Sequence, residues 1–254
     1  MHQIQIENVL RDHGLICQTF VFNDLPHKLQ SSITNACDVH FKNSYLSLIA
    51  NVGSEFWSAM QTHTSQLSVE QQEQANQNPV DEFSISILNK LLRKAGLEND
   101  SDILYPAHYR VPLIALGEHA GWSTPSPLGL GLHPTFGPWF AYRALAKTKQ
   151  PLLQPENPAD AQGDLSSQQS ACLNCVSTPC VKACPASAVS SSENFNINRC
   201  ADYRIQDDSN CTQQCHARNA CPVGSQYRYS EQQRAYHMTR ALDALVSWSS
   251  QSKP

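Results

Sequence analysis

Ten cysteines stand in this 254-residue chain, and eight of them fall between Cys172 and Cys221. Cys172, Cys175, Cys180 and Cys184 are separated by two, four and three residues, and Pro185 follows the last of them. Cys200, Cys211, Cys215 and Cys221 are separated by ten, three and five, with Pro222 next. Thiolates are soft donors, so four that converge on one point hold zinc or an iron–sulfur cluster. Short spacings let one tight loop deliver three of the four. A proline after the last ligand turns the chain away and removes a backbone donor there. Disulfides are the third possibility for so many cysteines. The opening MHQIQIENVLRDHGLIC has no apolar leader, so a cytoplasmic location is expected, and there thiols stay reduced. Metal or redox chemistry is therefore expected ahead of cross-linking.

The Cys-x3-Cys-Pro run, followed by Ala186, Ser187 and Ala188, matches the bacterial-type ferredoxin pattern, which a zinc site does not require. In two-cluster ferredoxins the fourth cysteine of each run ligates the other cluster. On that pattern one [4Fe–4S] cluster takes Cys172, Cys175, Cys180 and Cys221, and the other takes Cys184, Cys200, Cys211 and Cys215. Eight ligands suffice for two cubes. The four-residue gap before Cys180 and the five-residue gap before Cys221 are longer than in the commonest run. Zinc remains the alternative, and His216 is a possible substitute for one thiolate. Cys17 and Cys37 lie apart in apolar surroundings and are expected to be idle.

The elements that must position these thiols begin at residue 171. Ahead of them the chain reads as an α/β domain over 1–147 and a proline-, glutamine- and serine-rich linker over 148–170. A small ferredoxin-type domain is expected over 171–226 and a closing helix over 227–254. Residues 3–13 predict a short helix stopped by Gly14, and 15–22 a strand. YLSLIANVG (45–53) predicts a buried strand, with Ser54 placed to cap the next helix. The Gln-rich stretch 61–78 predicts a solvated loop or exposed helix face. Asn78, Pro79 and two acidic residues open a helix over 79–95 whose apolar face runs through Phe83, Ile87, Leu88, Leu91 and Leu92, with Gly96 ending it. Residues 115–122 predict another helix running into a turn. Residues 127–146 predict two strands around a turn at His133–Pro138. Ser230 and Gln233 form a capping-box pattern ahead of the last helix, whose apolar face is Met238, Leu242, Leu245 and Val246.

Composition narrows the function classes. A hydrophobic content of 41% supports a real core, and a net charge of −4 gives no general attraction to nucleic acid or anionic lipid. No apolar run approaches the ~20 residues that span a bilayer. No membrane or nucleic-acid partner is expected.

HPTFGPWFAYRAL (133–145) is similar to a stretch of the CblC-type cobalamin-processing proteins. NVGSEFWSAM (51–60) and NPVDEFSISIL (78–88) resemble that family's strand–turn–helix and following helix, in the same order. ALGEHAGWSTPSPLGLGLHPTFGPWF (115–140), CPASAV (184–189), the isolated Cys200 and the closing Cys221-Pro222 also resemble epoxyqueuosine reductase. The resemblance implies a flavin-nitroreductase-like or CblC-like sheet-and-helix domain followed by a two-cluster ferredoxin domain. It implies cobalamin bound with its lower base detached, which eases reduction of the cobalt, with FMN as the alternative cofactor. It further implies that Gly129, Gly131, His133, Phe136, Gly137, Trp139 and Arg143 line the cofactor pocket. The glycines would let backbone approach the ring, the aromatics would pack on it, and Arg143 would meet its amides or phosphate. His133 would serve the turn and not ligate cobalt. Glu118 and His119 are possible proton donors, and no catalytic acid is assigned. The electron donor expected is a flavodoxin or a ferredoxin reductase. Two other readings stay open: a ferredoxin-type carrier for a partner reductase, and an epoxyqueuosine-reductase-like enzyme acting on transfer RNA.

Overall fold

The computed structural model describes residues 2–68, 70, 77–155 and 171–252. Part of the Gln-rich stretch (69 and 71–76) and most of the predicted linker (156–170) lie outside the described residues. The chain folds as two compact units. The first takes the sequence up to Gly121 and resumes at Phe140; the second takes Trp122–Trp139 and the sequence after the linker.

The first unit is built on a four-stranded antiparallel sheet in the order β1-β2-β6-β3. These strands are β1 (Leu15–Val21), β2 (Tyr45–Val52), β3 (Ser101–Tyr105) and β6 (Phe140–Thr148). β2 is central, and every residue from Leu46 to Asn51 is buried, so it shows the unbroken apolar run of a strand covered on both faces. Helix α1 (His2–Asp12) leads into β1 through Gly14, whose φ of +59° lets it turn tightly. A Cβ at Gly14 would stand 2.6 Å from that of Glu55, at the start of α3 (Glu55–Ser65). Helix α4 (Pro79–Ala95) buries Phe83, Ile87, Leu88, Leu91 and Leu92, the face its 3.6-residue period predicts. Gly96, left-handed at φ +70°, ends it. Two elements are not foreseen from the sequence: α2 (His27–Ala36), which buries Leu29 and Ile33, and β3 at the sheet edge. A short α5 (Leu113–His119) closes this unit's first segment.

In the second unit, β4 (Thr124–Pro125) pairs with β5 (Gly131–Leu132), and a turn follows at 133–137. The strands expected around that turn belong to different sheets: β5 pairs with β4, and β6 with β2 and β3. Helices α6 (Pro179–Ala183), α7 (Ile197–Arg204), α8 (His216–Asn219) and α9 (Glu231–Ser252) complete the unit. Among the described residues no helix is long and apolar enough to cross a membrane.

Candidate metal centre

The thiols sit at the ends of the short helices of the second unit. Cys175 and Cys180 flank a turn in which Thr178 adopts a left-handed φ of +40° and Pro179 opens α6. Cys184 follows α6, and its Sγ accepts the Ala188 N–H at 3.4 Å. Asn196 caps α7 by accepting the Arg199 N–H at 3.0 Å, which fixes Cys200 in the first turns of that helix. Cys215 is itself the N-cap of α8, its sulfur accepting the Arg218 N–H at 3.4 Å. A sulfur that accepts a backbone N–H is held in a fixed orientation, as a metal-bound thiolate needs. Helices α6 and α8 pack on each other, and Leu128, Val189 and Ala217 form the small apolar core beside Cys180, Cys184 and Cys215.

The sulfurs act on one another in two groups. Burial raises the proton affinity of Cys221, and Cys172, Cys180 and Cys175 raise it further while a backbone hydrogen bond from Val223 opposes them. Burial pushes Cys200 up to about 11; Cys215, Cys184 and Cys211 add to this, and Arg204 pulls the other way. Cys211 is raised by burial first, then by Cys215 and Cys184. Cys180 is raised by burial first, with Cys175 and Cys184 adding. Cys172, Cys175 and Cys180 thus lie near Cys221, and Cys184, Cys211 and Cys215 near Cys200, while Cys184 also acts on Cys180 across the two sets. The second four share the wall of a cavity of about 540 Å³. In each group three sulfurs come from one stretch of cysteines and the fourth from the other. Burial favours the protonated forms of Cys180, Cys200, Cys211 and Cys221, so binding metal there would release protons.

Among the described residues no three His, Cys, Asp or Glu side chains close into a site for a single metal ion. Thiolates around one zinc ion, with Zn–S of about 2.3 Å, would stand roughly 3.8 Å apart. His216 lines the same cavity as the second four, with its Nε2 3.1 Å from the Asn210 carbonyl oxygen.

The residues expected to line a cofactor pocket are divided between the units. Gly129, Gly131, His133, Phe136, Gly137 and Trp139 lie in the second unit and Arg143 in the first. Trp139 has no exposed surface and meets Tyr229 edge-on at 5.5 Å, with the Arg218 guanidinium 4.9 Å from its ring. Phe136 packs between His133 and Tyr227, at 4.5 and 4.7 Å. Gly137 (φ +59°) has no room for a side chain, because a Cβ would stand 2.0 Å from the Val223 carbonyl oxygen. Gly129 (φ +68°) approaches Phe195, whose Cβ is 2.9 Å from the same construction, and Gly131 pairs with Pro125. His133 staples the turn: its Nδ1 accepts the N–H groups of Thr135 and Phe136 at 3.0 and 3.2 Å. That role needs an unprotonated Nδ1, and burial lowers the His133 pKa to about 4. These residues make packing contacts within the second unit.

Arg143 donates to Asn51 Oδ1 at 2.7 Å and lies over Phe56. Burial lowers the pKa of His119, which packs 5.7 Å from Phe20. Cys37 is buried, and Cys17 is pushed up to about 12 by burial, so both are poor nucleophiles. Sequence reasoning missed Arg204 and Arg218. Their signal is spacing: Arg204 stands four residues after Cys200 on one helix, and Arg218 three after Cys215.

No protein-family model matches this sequence, and no curated protein matches it. Among solved structures it is similar to a B12-trafficking protein CblC of C. elegans, a homologue of human MMACHC. The two are 15% identical, with a TM-score of 0.51 over 97% of this chain and 96% of that one. The likeness establishes a CblC-like mixed α/β fold for this chain.

Proposed function

We propose that the chain is an iron–sulfur oxidoreductase that carries electrons through two [4Fe–4S] clusters to a corrinoid, in reduction or processing of cobalamin. The observation that supports the reading is the cavity of about 540 Å³ whose wall carries Cys184, Cys200, Cys211 and Cys215, thiols from both cysteine stretches. Bound clusters would supply one-electron steps. Cys172, Cys175, Cys180 and Cys221 would hold one cluster and Cys184, Cys200, Cys211 and Cys215 the other. The N–H groups of Ala188 and Arg218 orient two of these sulfurs.

The corrinoid is the substrate of this reading, supported by the fold shared with a B12-trafficking protein. Each electron would come from a reduced flavodoxin- or ferredoxin-class donor, which is oxidised by one electron as the cobalt is reduced by one. Of the seven residues expected to meet the corrinoid, Arg143 is partly exposed on the long strand β6.

Protein purified without air tests both halves. The reading expects about eight irons and eight sulfides per chain, and a change in the corrin absorption bands when the reduced protein meets hydroxocobalamin. Absence of iron sinks the cluster half; full iron with unchanged corrin bands sinks the corrinoid half. A second reading, a carrier for a partner reductase, is favoured by Leu173 and Val176, 77% and 96% exposed beside the ligands Cys172 and Cys175. Full iron, no response to corrinoid and a stable complex with a reductase would select it.

A further inference from the structure

Arg204 is 6% exposed at the end of α7, one turn beyond Cys200. Its guanidinium donates to two backbone carbonyls, that of Cys211 at 3.2 Å and that of Met238 at 2.6 Å. Among the described residues it has no carboxylate partner, since the ion pairs there are Arg11–Asp12, Lys147–Asp102 and Lys149–Asp100. Carbonyl dipoles soften a buried charge but do not cancel it, and an arginine does not escape by losing its proton. The cavity wall that carries Arg204, Arg218 and the four sulfurs of the second group holds no Asp or Glu among the described residues. The site thus has cationic charge in excess until something anionic fills it. Arg204 lines the same cavity wall as Cys184, Cys200, Cys211 and Cys215, so its guanidinium lies beside the place a cluster there would fill.

We propose that Arg204 is the buried counter-ion of the second group of thiolates and makes the cluster held there the higher-potential member of the pair. Adding an electron to a cluster adds a negative charge, and a fixed buried cation stabilises that form more than the oxidised one. An electron entering the pair would then settle on the cluster of Cys184, Cys200, Cys211 and Cys215. Arg204 is a positioning residue and touches no substrate. The inference rests on the cluster reading above.

The test uses the full chain, kept anaerobic, with iron and sulfide assayed before a redox titration followed by electron paramagnetic resonance. Cys200→Ser marks which of the two signals belongs to the second group. Arg204→Gln should keep its iron and lower the marked couple by about 59 mV or more, a tenfold change in the one-electron equilibrium, leaving the other couple in place. Arg204→Lys should restore most of the shift. Full iron in Arg204→Gln with an unmoved couple, or with both couples moving together, overturns the inference. If Arg204→Gln sheds half its iron, Arg204→Lys decides. Retained iron at the wild-type potential supports the counter-ion, and a similar loss overturns it. A wild-type chain that binds no iron or sulfide defeats the cluster reading itself, a different result from full iron with an unmoved couple.

Discussion

The two units solve the problem of staying folded in different ways. In the first, Ile6, Ile33, Phe56, Leu88, Leu92 and Leu104 are buried with almost no exposure around the sheet. In the second, Trp139 is the one side chain among the largest fully buried ones, and much of the remaining buried apolar set is alanine and cysteine. Its helices α6 and α8 are five and four residues long, too short to hold themselves. A unit with so little apolar volume is the kind that a bound metal staples, which the proposed clusters would do. The difference teaches that burial accounts for the first unit's stability, while the second would draw on the clusters proposed for its thiols.

Removing that ligand is the most severe way to break the comparison. Chelation of anaerobically purified protein should abolish amide-exchange protection across α6, α7 and α8. Protection in β2 and β6 should survive, because any metal-dependent folding would be confined to the unit that carries the proposed ligands. Hydrogen exchange read by mass spectrometry separates the two. Simultaneous loss in the sheet, or survival of α6–α8, would show that the units are not held in different ways.

The mirror experiment strikes the first unit. Leu88 has no exposed surface in the core-facing side of α4. Leu88→Ala leaves a cavity and should cost about 2–5 kcal/mol in urea unfolding followed by circular dichroism. Iron content should stay at the wild-type level. Iron lost in proportion to stability would mean that the first unit's core supports the metal sites too.

A smaller effect sharpens the picture of the second unit. His133 has its pKa lowered from 6.5 to about 4 by burial, while its Nδ1 accepts two backbone N–H bonds. Protonation therefore favours the unfolded chain. The stabilisation is complete above pH 6.5 and is lost progressively as pH falls toward 4. Between pH 7.5 and 5.5 the loss should be about 1 kcal/mol. Asn at 133 offers an acceptor that does not titrate. The wild type should thus lose that much more stability than His133→Asn over the same interval, by exchange protection of the turn amides. Parallel pH profiles would remove the staple role.

What the sequence made legible follows the range of the interactions involved. Helix α4 was readable because Pro79, its apolar period and Gly96 are all local, and the turn at 133–137 because its residues satisfy one another. The membership of 122–139 in the second unit was not readable. Gly137 is shaped by Val223, and Trp139 by Arg218 and Tyr229, about eighty or more residues away in sequence. Strand β3 has only five residues and finds its partner β6 some forty positions later, so no local pattern marks it. For the candidate site, cysteine spacing marks the thiols of 172–221 as one constellation, because short loops limit where a thiol can go, and four of them line one cavity. Arg204 stands one helical turn after Cys200, a spacing that marks it as a neighbour, but its burial without a counter-ion is set by residues distant in sequence, Cys211 and Met238.

The mildest prediction sets a wet charge of the first unit against the dry charge of the second. Lys147 and Asp102 are cross-strand partners of β6 and β3, and their side chains meet at 2.6 Å. Unlike Arg204, this pair is open to water: the Asp102 side chain is 45% exposed and that of Lys147 16%. Water screens both ions in the unfolded chain and much of their attraction in the folded one, so their coupling should be only about 0.2–1 kcal/mol. A double-mutant cycle of Asp102→Asn and Lys147→Met in urea unfolding measures it, and 1 M salt should shrink it further. A coupling of several kcal/mol that resists salt would mean that the sheet edge is shielded from water. The contrast drawn here between a hydrated pair and a buried cation awaiting its anion would then have to be given up.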